Sequence, residues 1–160
     1  VYTFTPVAPS EYVDVNTKTV AVLDGVHGGT AYSADAADVS LEATYSDKLK
    51  EAALDSAKEF LNSCASIPGN QNPDCPSALN SDAVSAISVK TMPTTLEPMD
   101  LDPGVFQGQV TFAVTYSDKS DMPGTRDVDA AVVVNVQFAN DGTLKLTPEG
   151  TPDFWVGTSR

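Results

Sequence analysis

Two stretches in the second half of the chain alternate so regularly that their faces can be read position by position. Across 106–116 the even positions are Phe106, Gly108, Val110, Phe112, Val114 and Tyr116, while the odd ones are Gln107, Gln109, Thr111, Ala113 and Thr115. Across 128–138 the even positions carry Val128, Ala130, Val132, Val134, Val136 and Phe138. A period of two marks a strand with one buried face, so both are expected as long half-buried strands. Over 46–65 the period changes: Leu49, Ala53, Ala57, Phe60, Leu61 and Cys64 fall on one helical stripe. Ser46 can cap the free amides at its start, and Asp47 suits the positive end of the dipole. The pattern predicts a helix laid across the sheet, with Leu49, Ala53, Phe60 and Leu61 against Phe112, Val114, Val132 and Val134.

Shorter signals surround these three. Residues 2–5 and 11–23 read as short strands, and 24–30 as a loop, because Gly25, Gly28 and Gly29 resist both helix and strand. Val39, Leu41, Ala43 and Tyr45 share one strand face, and Ile87 and Val89 share another within 86–91. Pro93 and Pro98 bracket an irregular edge. Asn140-Asp141-Gly142 signals a tight hairpin into a strand over 143–147. Phe154-Trp155-Val156 is either a last strand or the start of an exposed docking tail. The segments 39–48 and 110–119 share six residues, a match that duplication or two similar half-buried strands would each produce. The fold class is therefore α+β: one long helix packed on a curled antiparallel sheet over 38–160, preceded by a small β appendage over 1–37.

The two cysteines add a covalent constraint. Cys64 ends the helical stripe, Cys75 precedes Pro76, and the loop between them contains Pro68, Gly69 and Pro73. A disulfide between Cys64 and Cys75 closes that loop, stabilising the fold by about 3 kcal/mol through restriction of the unfolded chain. Such bonds persist in oxidising compartments, so an extracellular or cell-surface location is expected. The chain has 22 acidic and 9 basic residues, a formal charge of −13, which repels phosphate backbones and excludes nucleic acid as a partner class. No apolar run reaches the roughly 20 residues of a membrane helix. The chain starts Val-Tyr-Thr-Phe without Met, so a signal peptide or membrane anchor is expected upstream.

The strand–helix–meander order over 38–149 resembles the cystatin-like superfold, which also contains the NTF2-like proteins. A narrower segment, Phe60-Leu-Asn-Ser-Cys64-Ala-Ser66 followed by Asn72-Pro-Asp-Cys75-Pro76, is similar to a stretch in extracytoplasmic parts of actinobacterial membrane proteins of unknown function. That resemblance implies a cell-envelope address and a tether outside this chain. It gives Cys64 and Cys75 a structural role and carries over no catalytic residue. The inhibitory hairpins of true cystatins are not matched: Gln109-Val-Thr-Phe-Ala lacks the glycine, and Phe154 rather than proline precedes Trp155.

Candidate chemistry is sparse. His27-Gly28-Gly29 resembles an esterase oxyanion loop, but no Gly-x-Ser-x-Gly elbow accompanies it. One His and two bonded Cys cannot complete a zinc shell. Glu97, Asp100 and Asp102 crowd one loop, and Asp35 and Asp38 another; these hard oxygens suit calcium, yet they lack EF-hand spacing and read as solvated loops. The odd face of the long strands, with Gln107, Gln109, Thr111, Thr115, Asn135 and Gln137, is polar and suits a protein or cell-envelope glycan. The expected function is a non-enzymatic extracytoplasmic interaction or structural module, with no cofactor and no catalytic or metal residue. The competing reading is a small-molecule site or enzyme in the concave face of the sheet.

Overall fold

The computed structural model describes residues 2–20, 43–100, 102–117 and 123–159. The chain forms two compact units, Val1–Leu49 and Lys50–Arg160. Several expectations lie outside the described residues: the end of the 11–23 run, the glycine loop with His27, Asp35, Asp38, Val39, Leu41 and the 37/38 boundary.

In the first unit β1 (Tyr2–Phe4) pairs antiparallel with β3 (Lys18–Val20), and β2 (Val13–Val15) with β4 (Ala43–Tyr45). Tyr12 is buried, and its carbonyl accepts the Ser46 amide at 3.0 Å. Ser46 Oγ accepts the Leu49 amide at 3.3 Å, the geometry of a helix N-cap, while donating to the Glu11 carbonyl at 2.9 Å. The expected cap is therefore in place, and it also holds the 11–12 backbone.

The helix α1 (Asp47–Cys64) buries Leu49, Ala53, Ala57, Leu61 and Cys64 completely. Phe60, expected on that stripe, is only half-buried. At 100° per residue position 60 lies within the arc spanned by 49, 53, 57, 61 and 64, so the stripe itself is placed as expected and the partial exposure of Phe60 is not a matter of helical phase. The helix lies on a strongly curled antiparallel sheet of β5 (Val84–Thr91), β6 (Glu97–Met99), β7 (Asp102–Tyr116), β8 (Gly124–Val136) and β9 (Phe154–Thr158). β7 is long enough to pair with β6 near its start and β5 near its end on one side, and with β8 along the other. Leu96 and Pro93, from the connection between β5 and β6, close against Gly108, where a Cβ would stand 2.7 Å from Leu96 Cδ2 and 2.9 Å from Pro93 Cβ.

Alternation is realised at Phe106, Val110, Phe112, Val114, Val132, Val134 and Val136, which are buried on the inner face, whereas Phe138, expected on that face, lies past the end of β8 and is exposed. β9 pairs with β8 only over 132–136, so among the described residues the 124–130 half of β8 pairs with β7 alone.

The strand expected over 143–147 does not form. Asn140-Asp141-Gly142 makes its turn, with the Gly142 amide 2.9 Å from the Ala139 carbonyl and Gly142 at φ +80°. A second turn of the same design begins at once: the Gly150 amide donates to the Thr147 carbonyl at 2.9 Å, with Gly150 at φ +82°. The segment between them divides its pairing between two sides and makes single bridges, Phe138 to Leu144 and Leu146 to Pro152, in place of a ladder.

The disulfide between Cys64 and Cys75 is present, with Cα atoms 5.7 Å apart. The loop it closes is fastened to the sheet, because the Thr158 amide and hydroxyl both donate to the Asp74 carbonyl at 2.9 Å.

Candidate functional site

The outer, odd-numbered face of the sheet carries the most distinctive chemistry among the described residues. Register places Asn135 opposite Val105, Val133 opposite Gln107, Ala131 opposite Gln109, Asp129 opposite Thr111 and Thr125 opposite Thr115. The face is therefore not uniformly uncharged as the strand pattern suggests. β8 starts earlier than expected, at Gly124, and brings Asp127 onto it beside Asp129, an odd position already within 128–138. Both carboxylates are engaged: Asp127 is ion-paired to Lys90, and Asp129 Oδ1 accepts from Thr111 Oγ1 at 2.7 Å. With the Thr115–Thr125 hydroxyl pair at 2.9 Å, this end of the face is a closed cross-strand ladder.

The other end is open. Trp155 pairs with Asn135 across β9 and β8, remains 45% exposed, and lays its six-membered ring over Gly157. A Cβ at Gly157 would stand 2.6 Å from Trp155 Cη2 and 2.7 Å from Cζ2, so the absence of a side chain there is what seats the indole. Beside it lie Val133 and, one strand further, Gln107, which itself faces Glu97 on β6. Primary amides both donate and accept. Among the described residues, the side chains of Gln107, Gln109 and Asn135 make no hydrogen bond with one another or with a neighbour.

Two clefts adjoin this surface. One of about 730 Å³ is lined by Met92, Thr95, Glu97, Met99, Gln107 and Gln109. The other, of about 760 Å³, lies between the disulfide loop (Asn72, Pro73, Pro76) and Gln109, Asp129 and Ala131. Gln109 borders both. At the centre of the inner face Phe106, Val110, Phe112 and Val114 are at most 1% exposed.

Among the described residues no three His, Cys, Asp or Glu side chains converge as metal ligands. Glu97, Asp100 and Asp102 are exposed, and Asp102 Oδ1 accepts the Gly104 amide at 3.1 Å. Glu11 and Asp141 are held below the usual carboxylate range, the first chiefly by its hydrogen bond to Lys48 and the second by donation from the Thr143 hydroxyl and amide. Lys48 is correspondingly raised by Glu11. A general acid needs the opposite displacement, so neither carboxyl is placed for that role.

Sequence reading left Trp155 undecided between core and tail. The signal that resolves it is Gly157, two positions along the same strand face, which gives the ring a seat without burying it. No family model matches the chain, and no curated protein or solved structure is similar to it. No helix among the described residues is long and apolar enough to cross a membrane.

Proposed function

We propose that this chain is a non-enzymatic extracytoplasmic module, of cystatin/NTF2-like architecture, that serves a secreted or membrane-anchored bacterial protein by binding a protein or glycan of the cell envelope. The observation that carries this reading is the contrast between the two faces of the sheet. The inner face is filled by apolar side chains, while the outer face presents Trp155 and the amides of Gln107, Gln109 and Asn135. Filled concavity weighs against the competing small-molecule or enzyme reading, which needs a pocket with converging polar groups. The Cys64–Cys75 bond is consistent with an oxidising compartment. The net charge of −13 weighs against nucleic acid.

Fractionation of the source cells with immediate thiol trapping tests the location. The protein should appear in the envelope or culture fluid with Cys64 and Cys75 protected from alkylation. Recovery from the cytoplasm with both thiols labelled would overturn the reading.

A further inference from the structure

Resting on that reading, we propose that the outer sheet face binds a short neutral oligosaccharide, laid across the strands from Trp155 toward Gln107. The row Gly157, Val133, Gln107 and Glu97 crosses β9, β8, β7 and β6 as directly paired positions. Neighbouring strands are about 4.8 Å apart, so the indole seated on Gly157 stands roughly 10 Å from Gln107, the span of two pyranose rings. A pyranose is amphipathic: its axial C–H face suits the negative face of an aromatic ring, and its equatorial hydroxyls need partners that donate and accept at once.

This row supplies both requirements. Trp155 is the stacking platform, Val133 is an apolar floor beside it, and Gln107, Gln109 and Asn135 form an amide rim with no other engagement among the described residues. Beyond Gln107 the cleft of about 730 Å³ leaves room for a further sugar. Charge selects the class of glycan. The three rim side chains are neutral, the charged group in the row is Glu97, and the chain carries −13, so an uncharged glycan is accepted and a uronate or sulfated one is repelled. One aromatic and three amides also form a surface far smaller than the roughly 800 Å² per partner of a stable protein interface.

Trp155 is the single tryptophan of the chain, so its emission reports on the site alone. The test is titration of the full chain with cellotriose, maltotriose, mannotriose and chitotriose at up to millimolar concentration, read by indole fluorescence and calorimetry. At least one should give a saturable shift. By calorimetry, the readout that remains when the indole is removed, Trp155→Ala should weaken binding at least about tenfold and Gln107→Ala about fivefold, as expected for a lost stacking platform and a lost hydrogen bond. Trp155→Phe, which keeps a ring over Gly157, should retain binding within a few fold, and unfolding midpoints of all three variants exclude a general loss of structure. The proposal is overturned if no trisaccharide binds, or if binding survives both Trp155→Ala and Gln107→Ala unchanged. Failure with every glycan, alongside Trp155-dependent retention of an envelope protein, would sink the glycan and leave the interaction module standing. Hydrolysis of a bound trisaccharide would do the reverse, removing the non-enzymatic reading while the site survived.

Discussion

Asn70 sits 5% exposed inside the disulfide-closed loop, where its Nδ2 donates to the Leu79 carbonyl at 2.6 Å. Its Oδ1 is buried without a partner among the described residues. Asn70→Ala removes that orphan acceptor but strands the Leu79 carbonyl, so a net loss of about 1–2 kcal/mol is expected from urea unfolding. Two glycines separate steric cost from mere contact. At Gly108 a new Cβ meets Leu96, Pro93 and the Thr95 carbonyl, and Gly108→Ala should cost about 1–3 kcal/mol because a packed loop must move. At Gly157 the obstacle is the far end of one exposed side chain. Gly157→Ala should leave the unfolding free energy within about 0.5 kcal/mol of wild type while shifting Trp155 emission as the ring swings away. Equal losses at the two glycines would mean that the indole is held more firmly than its exposure implies.

At the scale of elements, the helix tests how finely a periodic pattern resolves a face. Leu61 is fully buried and Phe60 half-buried, so Leu61→Ala should cost about 2–5 kcal/mol and Phe60→Ala clearly less, measured as the shift in denaturation free energy. Hydrophobicity alone nominates both residues, because neighbours on a helix differ by only 100° and the larger side chain attracts attention. The same limit explains the outer face. Alternation assigned the buried side chains over 106–114 and 132–136, since a slip of one residue would expose them all. It could not say that β8 reaches back to include Asp127, because charged residues do not announce a strand. Nor could it foresee the second turn at 147–150, which follows the first at 139–142 and leaves 143–147 divided between two partners in single bridges. The first of these turns has a pH dependence with a definite sign. Asp141 is lowered by Thr143, so its contribution is present above the ordinary carboxylate value and fades as the pH falls below about 4. Protection of the Gly142 and Thr143 amides, taken relative to intrinsic exchange at each pH, should therefore fall in acid, and Asp141→Asn should show no such titration.

Across the whole molecule, the bond between Cys64 and Cys75 joins the end of the helix to a loop whose Asp74 carbonyl holds Thr158 of the last strand. Replacing both cysteines with serine should lower stability by about 3 kcal/mol in reversible unfolding, with the loss also seen as faster exchange at the Thr158 amide. Unchanged exchange there would show that the loop keeps its place without the bond. The unequal lengths of β8 and β9 have a different consequence. Along 124–130 one side of β8 has no strand beside it among the described residues, and the backbone groups of Thr125, Asp127 and Asp129 face that side, as the Ser159 amide bonded to the Ala131 carbonyl indicates for the odd positions. A bare edge invites the same edge of another molecule to zip onto it. The carboxylates at 127 and 129 meet that hazard: two such edges brought together would juxtapose like charges, as natural sheets do to stay apart. Asp129→Val should therefore leave the folded monomer intact yet shorten the lag before dye-binding fibrils appear, making these acids guardians of solubility rather than of function.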